Sequence, residues 1–477
     1  MAVPLIHMAG WSGLSDMRAA RAIVLGALVL MWPAFWNGYP ILYSDTNAFM
    51  VQGILHFFIW DKPFIYGPWM SLFHWQFSLW PVLCAQAIMV SSILWLTTQS
   101  VQVAQTAEFQ TLTPTSKFVS HPRFSETRFV LSCIVLSLLS AAPWVTSLLM
   151  PDIFAPITVL CIYILAVRSD LGLGTRLWVL IVGAFAIASH LSHLVIAAAV
   201  LLVVGLLHFN RLKIAIMPLL IALAMLVGTN LYGFQKLSVS PFGSVFFLAR
   251  LAADGHIKPV LEQSCSRQQF YLCDWKEKLA ADSDDFMWNG QGPVWTHPGG
   301  PIGLAPEASV LVLGAVKDNP LGVMQSLVNN TWRELWMVGL GDTLHPDHLD
   351  TTVAERLKIY FPSAELQRYQ QSRQVRDQLY QSGEMFNLVG RLSLLAGLVA
   401  CIFLAWRAWR ERQHAIILLI AMVFVGLLAN AFATGALSKP HYRYQTRIAW
   451  LLVFVPLILP VRFRGANTRF QSAHYSG

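Results

Sequence analysis

The chain has 477 residues, 56% of them hydrophobic and only 12% charged, with a formal net charge of +8. Together with a mean hydropathy of +0.54, this excludes an ordinary soluble domain and a disordered chain, and places most of the sequence in hydrocarbon. The surplus Lys and Arg sit in short loops between apolar runs, where they mark cytoplasmic turns rather than a nucleic-acid surface.

Apolar runs long enough to cross a core of about 30 Å recur about ten times. The fold class expected is an all-α polytopic membrane protein of about ten transmembrane helices, with a domain of mixed composition inserted between the seventh and eighth. The 18 tryptophans suit interfacial belts. Arg18 and Arg21 precede the first span, 20–36, and place the amino terminus in the cytoplasm. That run ends at Trp36 without a small-residue cleavage site, so it reads as an anchor. An aromatic outer loop, 37–78, leads to a second span at 79–96. Lys117, Arg123 and Arg128 mark the next cytoplasmic turn, and spans three and four, 129–149 and 153–167, meet outside at Met150-Pro-Asp152.

Arg168 and Arg176 bring the chain back inside. The run 177–209 is too long for one span and carries cytoplasmic charge on both flanks, Arg211 and Lys213 on the far side; it predicts two short helices meeting at Ser189-His-Leu-Ser-His193. A span at 214–234 exits again, and 235–385 forms an extracytoplasmic domain rich in acidic residues, Gly and Pro. Its first stretch, 237–253, is apolar yet broken by Pro and Gly, consistent with an interfacial or re-entrant segment. Spans at 386–406, 416–432 and 448–459 complete the membrane part, with Arg407, Arg410, Arg412, Arg462 and Arg464 inside and both termini cytoplasmic. The domains expected are therefore 1–234, 235–385 and 386–477. No internal repeat stands out, which weighs against a transporter built from repeated halves.

Cys84, Cys133, Cys161 and Cys401 fall in apolar runs and read as packing residues. Cys265 and Cys273 face an oxidising compartment on this topology and are expected to form a disulfide, the alternative being two free thiols. A zinc site is disfavoured, because no second cysteine pair accompanies them and His256 and His297 lack ligand spacing.

The chemistry gathers at outer ends of spans. Asp45 follows the first span within an aromatic stretch, and a carboxylate there must be hydrated, paired or bound to metal; the competing reading is a cap for the helix that follows. Asp152 occupies the next outer turn, where Pro-Asp is also an ordinary helix start. His190 and His193 join at the third, with satisfied core histidines as the alternative. The last outer turn, Ser438-Lys-Pro-His-Tyr-Arg-Tyr-Gln-Thr-Arg447, breaks the positive-inside pattern. Lys439, His441, Arg443 and Arg447 there point to an anionic partner, phosphate first, against ion pairs with the acidic outer domain or contacts to lipid headgroups.

In these residues the chain resembles GT-C-type membrane glycosyltransferases that use polyprenyl-phosphate-linked sugars. Tyr43-Ser-Asp-Thr46 looks like the acidic motif of their first outer loop, Pro151-Asp152 like the second acidic position, and His441-Tyr-Arg-Tyr-Gln445 like the Arg-Tyr element before a late span. The resemblance covers 20–167 and 386–460; it departs in having Asp45 flanked by Ser44 and Thr46 rather than by a second acid. It implies Asp45 as catalytic base, Arg443 on the lipid phosphate with Lys439 or Arg447 assisting, and Asp152, His190 and His193 orienting the sugar or holding a divalent cation. The partners implied are a polyprenyl-phosphate sugar, membrane lipid and a glycan, lipid or protein acceptor at the outer face of a bacterial-type inner membrane, with no nucleic acid. The runner-up is a translocase or other non-catalytic component of an envelope polysaccharide system, for which Arg391 and Asn430 are the deeper polar residues.

Overall fold

The computed structural model describes residues 17–112 and 125–459. Lys117, Arg123, Arg462 and Arg464, four of the expected cytoplasmic marks, lie outside them. Among the described residues the chain is helical, with no strand beyond an isolated parallel bridge between Ile41 and Leu148.

The elements that build the site are, in chain order, α1 (Met17–Leu30), α2 (Thr46–Leu55), α3 (Tyr66–His74), α4 (Trp80–Leu112), α5 (Glu126–Leu139), α6 (Phe154–Val167), α7 (Leu173–Ala188), α8 (Leu191–Leu207), α9 (Met217–Phe234), α10 (Gly243–Ala253), α11 (Ser283–Trp288), α12 (Gly300–Asp318), α13 (Pro320–Trp336), α14 (Leu379–Arg410), α15 (His414–Ala431), α16 (Tyr442–Ala449) and α17 (Leu451–Ile458). Helix α6 is apolar on every side and buried from Phe154 to Ala166, which makes it the central post. Helices α4, α7, α8 and α15 pack around it.

Among the described residues four helical stretches are long and apolar enough to cross a membrane: Trp80–Thr106, Phe209–Phe234, Leu379–Arg410 and His414–Ala436. A fifth follows if Ser283–Thr296 and Gly300–Asp318, bent by 94°, count as one. Helix α14 turns Leu388, Leu392, Leu395, Val399 and Phe403 outward, an apolar wall that only lipid would solvate favourably.

Several expected spans are broken into shorter pieces. The run 20–36 divides at Met31, just ahead of Pro33; 129–149 divides at Ser140 and Ala141, ahead of Pro143; and 448–459 divides at Trp450. A 14-residue piece rises only about 21 Å, short of a hydrocarbon core of about 30 Å. The run 177–209 consists of the two short helices α7 and α8, which turn at Ser189 and His190.

The segment 235–385, expected to be mixed, is helical throughout its regular parts. Residues 242–323 build a second apolar core in which Leu248, Leu251, Leu261, Phe286 and Leu311 are fully buried. The apolar stretch ending in α10 packs on α12 within this core. Cys265 and Cys273 are joined by a disulfide on its edge.

Candidate functional site

The loop that carries Asp45 is brought to the turn that carries Asp152 by backbone pairing. Ile41 N–H donates to Ser147 O (3.0 Å), Leu149 N–H donates to Ile41 O (2.9 Å), and Thr46 Oγ1 donates to Leu149 O (3.1 Å). Two acidic turns separated by about a hundred residues thereby become neighbours. From the other side, α16 is anchored by Thr446 Oγ1, which exchanges hydrogen bonds with Gly339 N (2.7 Å) and Gly339 O (2.9 Å). Arg443 and Arg447 are four residues apart on α16, so both guanidinium groups lie on one helix face, turned toward Asp152.

Asp152 is 1% exposed, with Oδ1 at 3.7 Å from Arg443 Nε and 3.5 Å from Arg447 Nη1. Its Oδ2 is buried without a hydrogen-bond partner. Asp45 stands opposite, 32% exposed at its side chain, with Oδ2 at 3.7 Å from Arg443 Nη1 and Oδ1 at 3.2 Å from Lys62 Nζ. It precedes α2 but makes no side-chain cap bond, so the helix-cap reading of Asp45 does not hold. Burial pushes its carboxyl up; Lys62 and then Arg443 outweigh this and hold it below the usual carboxylate range.

Arg443 is the centre of the arrangement. Its guanidinium lies between the rings of Tyr43 (4.4 Å) and Tyr444 (4.8 Å), and its side chain is 9% exposed. Nη1 is buried with no hydrogen-bond partner, and the nearest carboxylate oxygens remain at 3.7 Å. Ring stacking and two carboxylates hold the group in place without saturating its donors. Arg447, fully buried, is used differently: Nη2 donates to Ser192 Oγ (2.6 Å) and to Asn430 Oδ1 (2.9 Å).

The two histidines divide in role. His190 accepts the Ser192 N–H through Nδ1 (3.2 Å) and caps α8, which is the structural reading. It still lies within electrostatic reach of Arg447, Arg443 and Lys62. The His193 Nδ1 atom is 2.6 Å from Ala186 O, so that nitrogen carries the proton and Nε2 is left buried and unpartnered. Ser192 links the pair to Arg447, 2.8 Å from His190 Nδ1 on its other side.

The cationic turn is split in two. Lys439 binds Asp282 (2.8 Å) and Asp284 (3.0 Å), and His441 Nε2 lies 3.0 Å from Asp284 and Nδ1 3.7 Å from Asp342. For these two residues, which precede α16, the structure supports the alternative of ion pairs with the acidic segment 235–385. Burial pulls His441 down, but hydrogen bonds to Asp284 and Asp342 dominate and raise it to about 9. Beneath it, Glu334 accepts the His441 N–H through Oε2 (2.8 Å), with Oε1 unpartnered, and burial pushes its acid up to about 8. Gly435 permits this approach, since a Cβ there would meet Asn330 O and Glu334 Cβ at 2.6 Å.

Sequence reasoning did not assign roles to Lys62, Asp61, Ser192, Glu334 or Asp342. Lys62 carried a signal, the lone Lys or Arg of the loop 37–78, next to an acid; the others are ordinary polar residues until the fold places them. Asn430, noted only as a deep polar residue, is a ligand of Arg447. Among the described residues no three His, Cys, Asp or Glu side chains converge as metal ligands.

Asp152, Arg443 and Arg447 line a narrow cleft together with Trp144, Leu148 and Gly339. It shares Gly339, Leu340 and Thr446 with a second shallow groove, bordered by Phe386, Arg391 and Leu394 of the outward-facing α14 and by Trp450. Buried charged side chains thus lie next to a groove at the exposed apolar face of α14. Comparison with protein-family models, curated proteins and solved structures finds no match, so the reading of this site rests on its own geometry.

Proposed function

We propose that the chain is a membrane glycosyltransferase of GT-C type, which moves a sugar from a polyprenyl-phosphate donor to an envelope glycan, lipid or protein acceptor at the outer face of a bacterial-type inner membrane. In this reading both termini are cytoplasmic, shorter helices complete about ten membrane passes, and 235–385 lies outside. The observation that carries it is Arg443: a buried guanidinium, oriented by two rings, flanked by two carboxylates and holding an unpartnered donor. Such a group suits an oxyanion that forms during reaction, because its donors are already in place and need no reorganisation.

The step balances simply. An acceptor hydroxyl attacks the sugar carbon bonded to phosphate, from the opposite face, while Asp45 takes its proton; the carbon–oxygen bond to phosphate breaks and the electron pair leaves on the polyprenyl phosphate. Arg443 stabilises the departing charge. Arg447, fixed by Ser192 and Asn430, supports it from beneath with Asp152 between them. The phosphate would meet Arg443, and the first isoprene units would follow the groove along α14. Lys439 and His441 hold the outer segment in place and leave the phosphate to the arginines. The translocase reading draws less support, since Asn430, a deep polar residue that a through-path would use, is committed to Arg447.

The test is turnover of radiolabelled polyprenyl-phosphate sugars by the purified full-length chain in nanodiscs with envelope acceptors, alongside Asp45→Asn. Wild type should release polyprenyl phosphate, and the variant should lose about 10²- to 10⁴-fold while folding normally. Near-normal transfer by a well-folded Asp45→Asn protein would remove Asp45 as the base.

A further inference from the structure

Helix α13 has two unlike faces. The inner one carries Val323 and Glu334, both buried, and Glu334 is the residue that accepts the His441 N–H. The outer one carries Leu321, Met324, Val328, Trp332 and Trp336, each between 58% and 83% exposed. Their spacing of three or four places them in one row along the whole helix. Gln325, Asn329 and Arg333, also exposed, form a second row beside it. No charged side chain interrupts the apolar row, and it ends in two indole rings packed edge to face at 5.3 Å. In water, so many large apolar side chains in one patch would be a costly exposure. An apolar row bordered by a polar one, with tryptophan at one end, is instead the pattern of a helix that lies in a membrane interface.

Three observations give the level of this helix relative to the candidate spans. A Cβ on Gly435 would meet Asn330 O and Glu334 Cβ at 2.6 Å, so the middle of α13 crosses the last turn of the span His414–Ala436. The exit of α13 is tied to α14, where Val338 O accepts from Arg391 Nε (3.2 Å) and Leu340 N–H donates to Asn387 Oδ1 (2.8 Å). The outward apolar residues of α14 run from Met385 to Phe403, a band of about 27 Å, and Arg391 lies only about 9 Å inside its Met385 end. Arg391 is the one charged residue of that band, and it is exposed; lipid tolerates such a cation where its side chain can reach the headgroups. Helices α14 and α15 are antiparallel neighbours, so the start of the α14 band and the end of the span lie on the same side. Helix α13 sits at that boundary.

We propose that the outer row of α13 is a lipid contact: the helix lies in the membrane interface, with Leu321, Met324, Val328, Trp332 and Trp336 among acyl chains and Gln325, Asn329 and Arg333 toward the headgroups. The partner is phospholipid, not a protein surface. The inference holds whether or not the protein transfers sugar, and it places part of 235–385 in the membrane boundary instead of in water.

The experiment uses the full-length protein in nanodiscs of phosphatidylethanolamine and phosphatidylglycerol. A Cys84→Ser background removes the exposed free thiol. In it Leu321→Cys, Met324→Cys, Val328→Cys, Gln325→Cys and Asn329→Cys each carry a nitroxide, after their thermal unfolding midpoints are matched to wild type. Power saturation compares oxygen, which dissolves in hydrocarbon, with a nickel chelate that stays in water. The labels at 321, 324 and 328 should be open to oxygen, shielded from nickel and immersed by about 5–10 Å. Those at 325 and 329 should be the more open to nickel. Equal nickel access in both rows would put α13 in water and overturn the proposal. Shielding of the apolar row from both reagents would overturn it as well, because a second copy of the chain or another protein would then cover that row. If a label lowers the unfolding midpoint, quenching by brominated lipid takes its place: Trp332→Phe/Trp336→Phe should lower the share of tryptophan emission that the lipid quenches, and an unchanged share would overturn the proposal.

Discussion

Replacing Arg443 by lysine separates a directed phosphate contact from simple charge. The ammonium of Arg443→Lys keeps the attraction to Asp45 and Asp152, whose oxygens stand at 3.7 Å and engage the guanidinium as charge more than as hydrogen-bond acceptors. It loses the plane that stacks between Tyr43 and Tyr444, worth about 0.5–2 kcal/mol for a desolvated cation–π contact. It also loses the buried Nη1 donor aimed into the site. If that donor meets charge that develops only as the phosphate departs, its removal should cost about 2.7–4 kcal/mol, or about 10²- to 10³-fold in kcat, with a smaller change in KM. The assay is release of polyprenyl phosphate under single-turnover and steady-state conditions, with thermal unfolding measured on the same preparations. A Lys variant that turns over within about twofold of wild type would refute the reasoning and reduce Arg443 to bulk electrostatics.

Asp152→Asn keeps the shape but leaves Arg447 without its carboxylate and Arg443 with Asp45 alone, a cost of about 3–5 kcal/mol for an uncompensated buried charge. A clear drop in unfolding temperature is expected, partly recovered in Asp152→Asn/Arg447→Met, and an unchanged midpoint would show the pair to be energetically idle. His441, raised to about 9 by Asp284 and Asp342 against burial, contributes stability that is complete below about pH 6.5 and drains away as pH rises through about 9. Its side chain is partly exposed, so about 1–2 kcal/mol is expected. His441→Gln should therefore lower the unfolding midpoint at pH 6.5 and match wild type above pH 9.5, whereas a constant gap across that range would exclude the ion pairs as its cause. Glu334, raised to about 8 by burial, contributes stability that is complete below about pH 4.5 and drains away as pH rises to about 8, so its window overlaps that of His441 only in part and Glu334→Gln isolates its share.

What the sequence determines by itself is where charge is out of place. Asp45, Asp152, Arg443 and Arg447 stand out because a charge at the edge of an apolar run is costly unless something holds it, and that argument needs only composition and spacing. The helical character, the paired short helices at His190 and the cysteine pair 265 and 273 are legible for similar local reasons: run length, cationic flanks and compartment. Even the shared face of Arg443 and Arg447 follows from a separation of four once α16 is recognised as helical.

What only the tertiary structure decides is who pairs with whom. Nothing in the chain predicts that Ile41 bridges to Leu148 and so carries Asp45 to Asp152, because the two turns are joined by backbone hydrogen bonds that carry no residue signature. Spacing alone leaves Lys439 and His441 with the arginines; the entry of the chain into α16 turns them toward Asp282, Asp284 and Asp342 instead. Ser192 is unremarkable as sequence, and Lys62 and Asn430, though visible as a lone cation and a deep polar residue, take their partners only through packing. Charge in hydrocarbon must find a partner, which is why the sequence reveals its presence; the partner is whatever folding brings within a few ångströms, and this is fixed by long-range contacts rather than by local pattern.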